Sequence, residues 1–163
     1  MTESIVRAYA AGERVFRGVD LSGQRYGMMT LDGSDLDESD LRDADFFGAS
    51  LAGSSLRGAR LDRTRLRGAR LVNACMVGAS LVGADLRDAE LGHADLTNAN
   101  LSDVNAQGAD LSNTILHGAR VAGASFRGAD LRGADLRGVS REGVDLTDAR
   151  LDGARWDDDG SAP

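Results

Sequence analysis

The chain has 163 residues, 42% of them hydrophobic but only 4% aromatic, with 21 Gly against 1 Pro. This is one domain's worth of chain, and its core must be built from Leu and Ala rather than from rings. All 19 basic residues are Arg, yet the formal charge is −7, which argues against direct nucleic-acid binding through phosphate neutralisation.

Residues 1–12 form the one stretch with a helical pattern. Thr2 or Ser4 suits the N-cap, Glu3 the first turn, and Gly12 the stop. Ile5, Ala8 and Tyr9 share one face, so this short helix is expected to cover the N-terminal end of the remaining chain. Glu3, Arg7 and Glu13 leave no apolar signal region, and no window approaches the roughly 18 apolar residues of a membrane span. The expected setting is the cytoplasm, without a membrane contact.

From Phe16 to Trp156 a bulky apolar residue recurs every fifth position, through Leu21, Tyr26, Leu31 and onward. Only Ala106 and Arg141 break the rule. A small residue, usually Ala, stands two positions before each centre, and Gly often stands two positions after it. Five residues advance an α-helix by about 500°, which smears the apolar residues around it. In one continuous strand the odd period sends alternate centres to opposite faces. Both failures vanish if the chain turns a corner every five residues. Gly after the centre then fits a type II turn, whose third residue needs positive φ.

The runs Ala84-Asp85-Leu86, Ala94-Asp95-Leu96, Ala99-Asn100-Leu101, Ala109-Asp110-Leu111, Ala129-Asp130-Leu131 and Ala134-Asp135-Leu136 resemble the A(D/N)LXX signature of pentapeptide-repeat proteins. That resemblance implies an all-β fold, a right-handed quadrilateral β-helix of about seven 20-residue coils with a short N-terminal capping helix. The organisation expected is a helix and cap over 1–12, the repeat rod over 13–158 and a flexible tail over 159–163. A coil spacing near 4.8 Å gives a rod about 34 Å long. The resemblance further implies a non-enzymatic protein. The quinolone-resistance and antibiotic self-immunity members are DNA-mimicking binders of DNA gyrase or topoisomerase IV. The alternative is an interaction scaffold for another protein partner.

Four pentapeptides per coil stack residues 20 apart. Glu90, Asp110 and Asp130 then form one outer column, a candidate docking strip or simply the repeat's usual acid, while Arg67 and Arg87 stand in another. An acidic band over 32–45 lies one coil from an arginine band over 57–70; the two pair with one another or the belt takes an anion or acidic partner. Val77 and Val82 mark the least polar stretch of the exterior, a second candidate partner site. Cys75 occupies an outward slot and permits neither a disulfide framework nor a CxxC metal site. His93 and His117 have no partner at metal-ligand spacing, and no residues suggest a catalytic group, metal or cofactor.

Arg141 stands where a leucine belongs and is expected to turn outward or meet Glu142 or Asp145. The residues after Trp156 are few and polar. The final coil is therefore expected to pair end to end with a second copy through Leu136, Leu146, Leu151 and Trp156, or to be closed by Trp156 folding across it.

Overall fold

The structure, a computed structural model, describes residues 2–157; the expected tail over 159–163 lies outside them. Helix α1 spans Thr2–Ala10 and ends as expected, with Gly12 at φ 98° donating to the Tyr9 carbonyl at 3.0 Å. Ile5 is buried among the core residues, and the Tyr9 hydroxyl donates to the Asp32 carbonyl at 3.1 Å. The Arg14 guanidinium lies 3.7 Å above the Tyr9 ring. These contacts hold so short a helix on the first coil, since nine residues have little helical stability of their own.

Beyond α1 the backbone repeats one pattern. With one exception near the C-terminal end, each described residue before a centre pairs in parallel with the described residue 20 positions on, as in Val15 with Asp35, Asp35 with Ser55 and Ser55 with Cys75. The chain therefore returns over itself every four pentapeptides. The pairings are single residues rather than strands, because a corner every five residues leaves room for no more. Three hydrogen bonds per pentapeptide join successive coils: for Leu61 these are Leu61 N–H to Ser80 O (2.6 Å), Arg63 N–H to Val82 O (2.9 Å) and Ser80 N–H to Ala59 O (2.9 Å). At the described corners from Leu21 onward the centre's carbonyl accepts from the residue three positions on, as in Ala84 N–H to Leu81 O at 2.9 Å. All 28 described residues two after a centre have φ in the left-handed region, 17 of them Gly and the rest mostly Asp and Asn. This is the third position of a type II turn, which those residue types tolerate best.

The centres and the small residues before them fill the interior. From Tyr26 to Leu136 every centre is buried, and Tyr26 stacks on Phe46 at 4.9 Å between centroids. Where Ser or Thr replaces the small Ala, its hydroxyl donates to a carbonyl 23 residues back at Ser39 (to Phe16), Ser54 (to Leu31) and Thr64 (to Leu41) and three residues back at Thr114 (to Leu111), while the buried Ser34 hydroxyl finds no partner among the described residues.

Candidate interaction surfaces

With the interior filled by apolar side chains, whatever the rod does falls to its outer columns and its ends. The acidic and arginine bands pair across coils as 20-residue stacking requires. Arg60 meets Asp40 at 3.5 Å, Arg63 meets Asp43 at 2.8 Å and Arg65 meets Asp45 at 3.7 Å. Arg67 and Arg70 turn to the coil on the other side, reaching Asp88 at 3.2 Å and Glu90 at 3.1 Å. Arg87 instead binds its own repeat's Asp85 at 2.6 Å.

The same local fork recurs where an acid precedes a centre and Arg follows it. Hydrogen bonds from Arg42, Arg132 and Arg137, with Arg60, Arg150 and Arg155 adding charge, hold Asp40, Asp130 and Asp135 down at about 2. Asp135 is the most enclosed, taking Arg137 at 2.6 Å and Arg155 at 2.9 Å with only 8% of its side chain exposed.

Glu90, Asp110 and Asp130 are consecutive pairing partners, so the expected column exists. Its members differ: Glu90 is neutralised by Arg70, and Asp130 by Arg132 and Arg150. Asp110 accepts only from the Ser112 backbone and makes no ion pair among the described residues. Asp95 and Asp103 likewise make none, and no arginine occurs between Arg87 and Arg120.

Val77 and Val82 are half-buried, because side chains of the coils on either side flank them. The large apolar side chains exposed among the described residues are Val15, Met28, Phe47 and Ile115. Cys75 is half-exposed, and its Sγ lies 3.4 Å from an Arg57 nitrogen supplied by the preceding coil. His93 and His117 are exposed, and no group of described residues could hold a metal ion.

At the far end the pattern breaks. The guanidinium of Arg141 lies 4.1 Å over the Trp156 ring, and the side chain is half-buried. The backbone bows with it. Arg120 and Ser140 do not pair, and the three bonds expected there are missing: Val121 N–H to Ser140 O, Gly123 N–H to Glu142 O and Ser140 N–H to Ala119 O. A cavity of about 620 Å³ opens between Val121 and Ser140. Leu146, Leu151 and Trp156 are half-buried around a second cavity of about 360 Å³ that Arg141 also lines. Leu136, expected at the open end, is 3% exposed, since the coil bearing Arg155 and Trp156 covers it.

A protein so built is a solenoid of 20-residue coils closed at one end by a helix. The family described as pentapeptide repeats (8 copies) matches residues 15–51, 44–81, 79–118 and 114–153, and the chain belongs to that family. Among solved structures it is similar to HetL of the cyanobacterium Nostoc sp. strain PCC 7120, a pentapeptide-repeat protein involved in heterocyst differentiation regulation. The two share 30% identity over 99% of this chain and 98% of that one, with a TM-score of 0.33. A pentapeptide-repeat protein of the Arabidopsis thaliana thylakoid lumen shares 36% identity over 76% and 69%, with a TM-score of 0.36. Full-length QnrB1, a plasmid-mediated fluoroquinolone resistance protein, shares 20% over 88% and 94%, with a TM-score of 0.41. No curated protein matches the chain. No described helix is long and apolar enough to cross a membrane.

Proposed function

We propose that this protein is a non-enzymatic, cytoplasmic binding rod, a right-handed four-sided β-helix over 13–158 that works by presenting its side faces to another protein. The observation that carries this reading is the ordering of the outer side chains. Ion pairs set at 20-residue spacing hold Arg63 and Arg70 along the columns, and Arg60 and Arg65 lie within 4 Å of theirs. Each exposed pair contributes little to stability, but together they make a patterned surface with small conformational freedom left to lose on binding. A general interaction scaffold fits this surface best, because arginine-paired carboxylates recur along the columns from Asp35 to Asp148 and interrupt any phosphate-like run of free charge.

A second reading, a DNA-mimicking binder of DNA gyrase or topoisomerase IV, is favoured by the arginine-free stretch between Arg87 and Arg120, where Asp95, Asp103 and Asp110 carry no counter-charge. A gyrase supercoiling assay separates the two. Inhibition or protection at micromolar concentration that is lost in Asp95→Asn/Asp103→Asn/Asp110→Asn supports mimicry; no effect leaves the scaffold.

We also propose that two copies meet end to end, burying Leu146, Leu151 and Trp156 around the apolar cavity they line. Light scattering at tens of micromolar is expected to give twice the chain mass of 17.1 kDa. A monomer refutes the dimer without touching the binding reading.

A further inference from the structure

We propose that the first three coils of the face centred on Phe46 form a docking pad for an acidic segment of a partner protein that also carries an apolar side chain. The proposal rests on the binding-rod reading and names the place on the rod and the chemistry it takes.

The pad's apolar floor is Met28 and Phe47, 74% and 52% exposed, on adjacent coils and joined by Met28 N–H to Phe47 O at 2.8 Å. Two glycines shape it. Gly27 stands one coil before Phe47 in the same column, so no side chain covers the ring from that side. At Gly48 a Cβ would fall 2.5 Å from the Met28 sulfur, so glycine there is what lets the thioether lie flat over the second coil. A flexible thioether beside a rigid ring suits contact with an incoming apolar group.

Beside the floor runs a groove of about 350 Å³ lined by Gly23, Arg25, Asp43, Asp45, Arg63 and Arg65. Three guanidinium groups face two carboxylates there. Arg63 is committed to Asp43 through two 2.8 Å bonds. Arg65 reaches Asp45 only at 3.7 Å and is 73% exposed, and Arg25 is exposed with no ion pair among the described residues. Arg67, half exposed and paired with Asp88, follows Phe47 in the column on the next coil. In a chain of net charge −7 this is a local excess of cations at the rim of an apolar surface. A segment that sets an apolar side chain on Met28 and Phe47 brings flanking carboxylates onto Arg25 and Arg65. Repulsion from the rest of the rod is screened beyond about 8 Å at physiological salt, whereas these contacts are not. A nucleic acid fits less well, because its continuous phosphates would also meet Asp43 and Asp45.

The test is fluorescence anisotropy of a labelled peptide of Asp and Glu around a central Phe-Leu pair. Controls are its Lys counterpart, its Ser-for-Phe-Leu counterpart and a single-stranded DNA oligonucleotide. Only the acidic, apolar peptide is expected to bind, with affinity falling at least fivefold in Phe47→Ser and in Arg65→Glu. Arg57→Glu, on another face of the third coil, should bind as the parent does. Circular dichroism melts confirm that each variant folds. No binding by the acidic peptide overturns the pad, as does equal binding of a control peptide, tighter binding of the oligonucleotide, or indifference to both pad variants. The supercoiling and light-scattering results do not depend on the pad, so failure here leaves the wider reading standing on its own tests.

Discussion

Replacing Arg141 with leucine is expected to stabilise the protein, against the usual direction of a single substitution. Arg141 holds a centre position, and its guanidinium sits over Trp156 instead of filling the interior. The face from Val139 to Val144 bows away, and three cross-coil hydrogen bonds are lost with it. Leucine at a centre buries fully elsewhere, as at Leu101 in the same column. Three recovered bonds contribute about 1 kcal/mol each, and burying the leucine adds about 2 kcal/mol. Loss of the stacked cation subtracts about 1 kcal/mol. Some of the gain is offset by ordering a face that is now loose, which leaves about 3 kcal/mol. For a chain of this size that raises the midpoint of thermal unfolding by roughly 6–12 °C. Because coils interact mainly with their neighbours, the effect can be partly local, so hydrogen exchange is the sharper readout. The amides of Val121 and Gly123, which lack backbone partners, are expected to exchange fast in the parent and to join the slow class in Arg141→Leu. An unchanged melting point together with unchanged exchange at those two amides refutes the assignment of the gap to Arg141.

Gly118→Ala should cost about 1–2 kcal/mol by chemical denaturation, since φ is +66° and the new Cβ would meet Asn98 Oδ1 at 2.5 Å. Gly68→Ala, at φ +65° with nothing nearby, should cost only the backbone part, about 1 kcal/mol; equal costs would show that the Asn98 contact is immaterial. Asp135→Asn leaves Arg137 and Arg155 without their shared carboxylate and should lower stability by about 1 kcal/mol in the same assay, more than Asp152→Asn, which makes no ion pair among the described residues. Acid should also destabilise the protein in a defined window. Asp40, Asp130 and Asp135 sit at about 2 when folded, below the ordinary 3.8, so the unfolded chain binds these protons more readily. Their contribution is complete above about pH 4 and is lost as pH falls through about 2. Melting points flat from pH 5 to pH 2 would contradict that.

Much of the architecture is legible because it repeats a local rule. A centre every fifth residue and Gly, Asn or Asp two positions later specify a turn, and stacking propagates it from Phe16 to Trp156. Once four repeats per coil are taken from the family resemblance, pairs such as Arg63–Asp43 come from counting 20 residues. Arg67–Asp88 and Arg57–Cys75 do not, at separations of 21 and 18 residues, because a long side chain picks among several neighbours on the adjacent coil. Val77 and Val82 read as exterior apolar residues, and they are outward-facing, but their accessibility is not a property of their own positions. Arg141 reads as a defect; where its side chain goes depends on Trp156, 15 residues later, a contact that local patterning cannot describe.

These cases share one cause. In a stacked solenoid residues n − 20 and n + 20 flank residue n, so how far an outward side chain is covered depends on the coils beside it as well as on its own position. Phe47 is open because Gly27 lies on one side of it, while Val77 is half-covered because Arg57 and Thr97 flank it. Val121 and Gly123 lose their bonds because the departure is at Arg141, not because either residue is unusual. The informative comparison along such a chain is therefore down a column rather than along the sequence. By that measure the rod has two irregular regions: the glycine-shaped pad near Met28 and Phe47, where surface is gained, and the bowed face below Arg141, where pairing is lost.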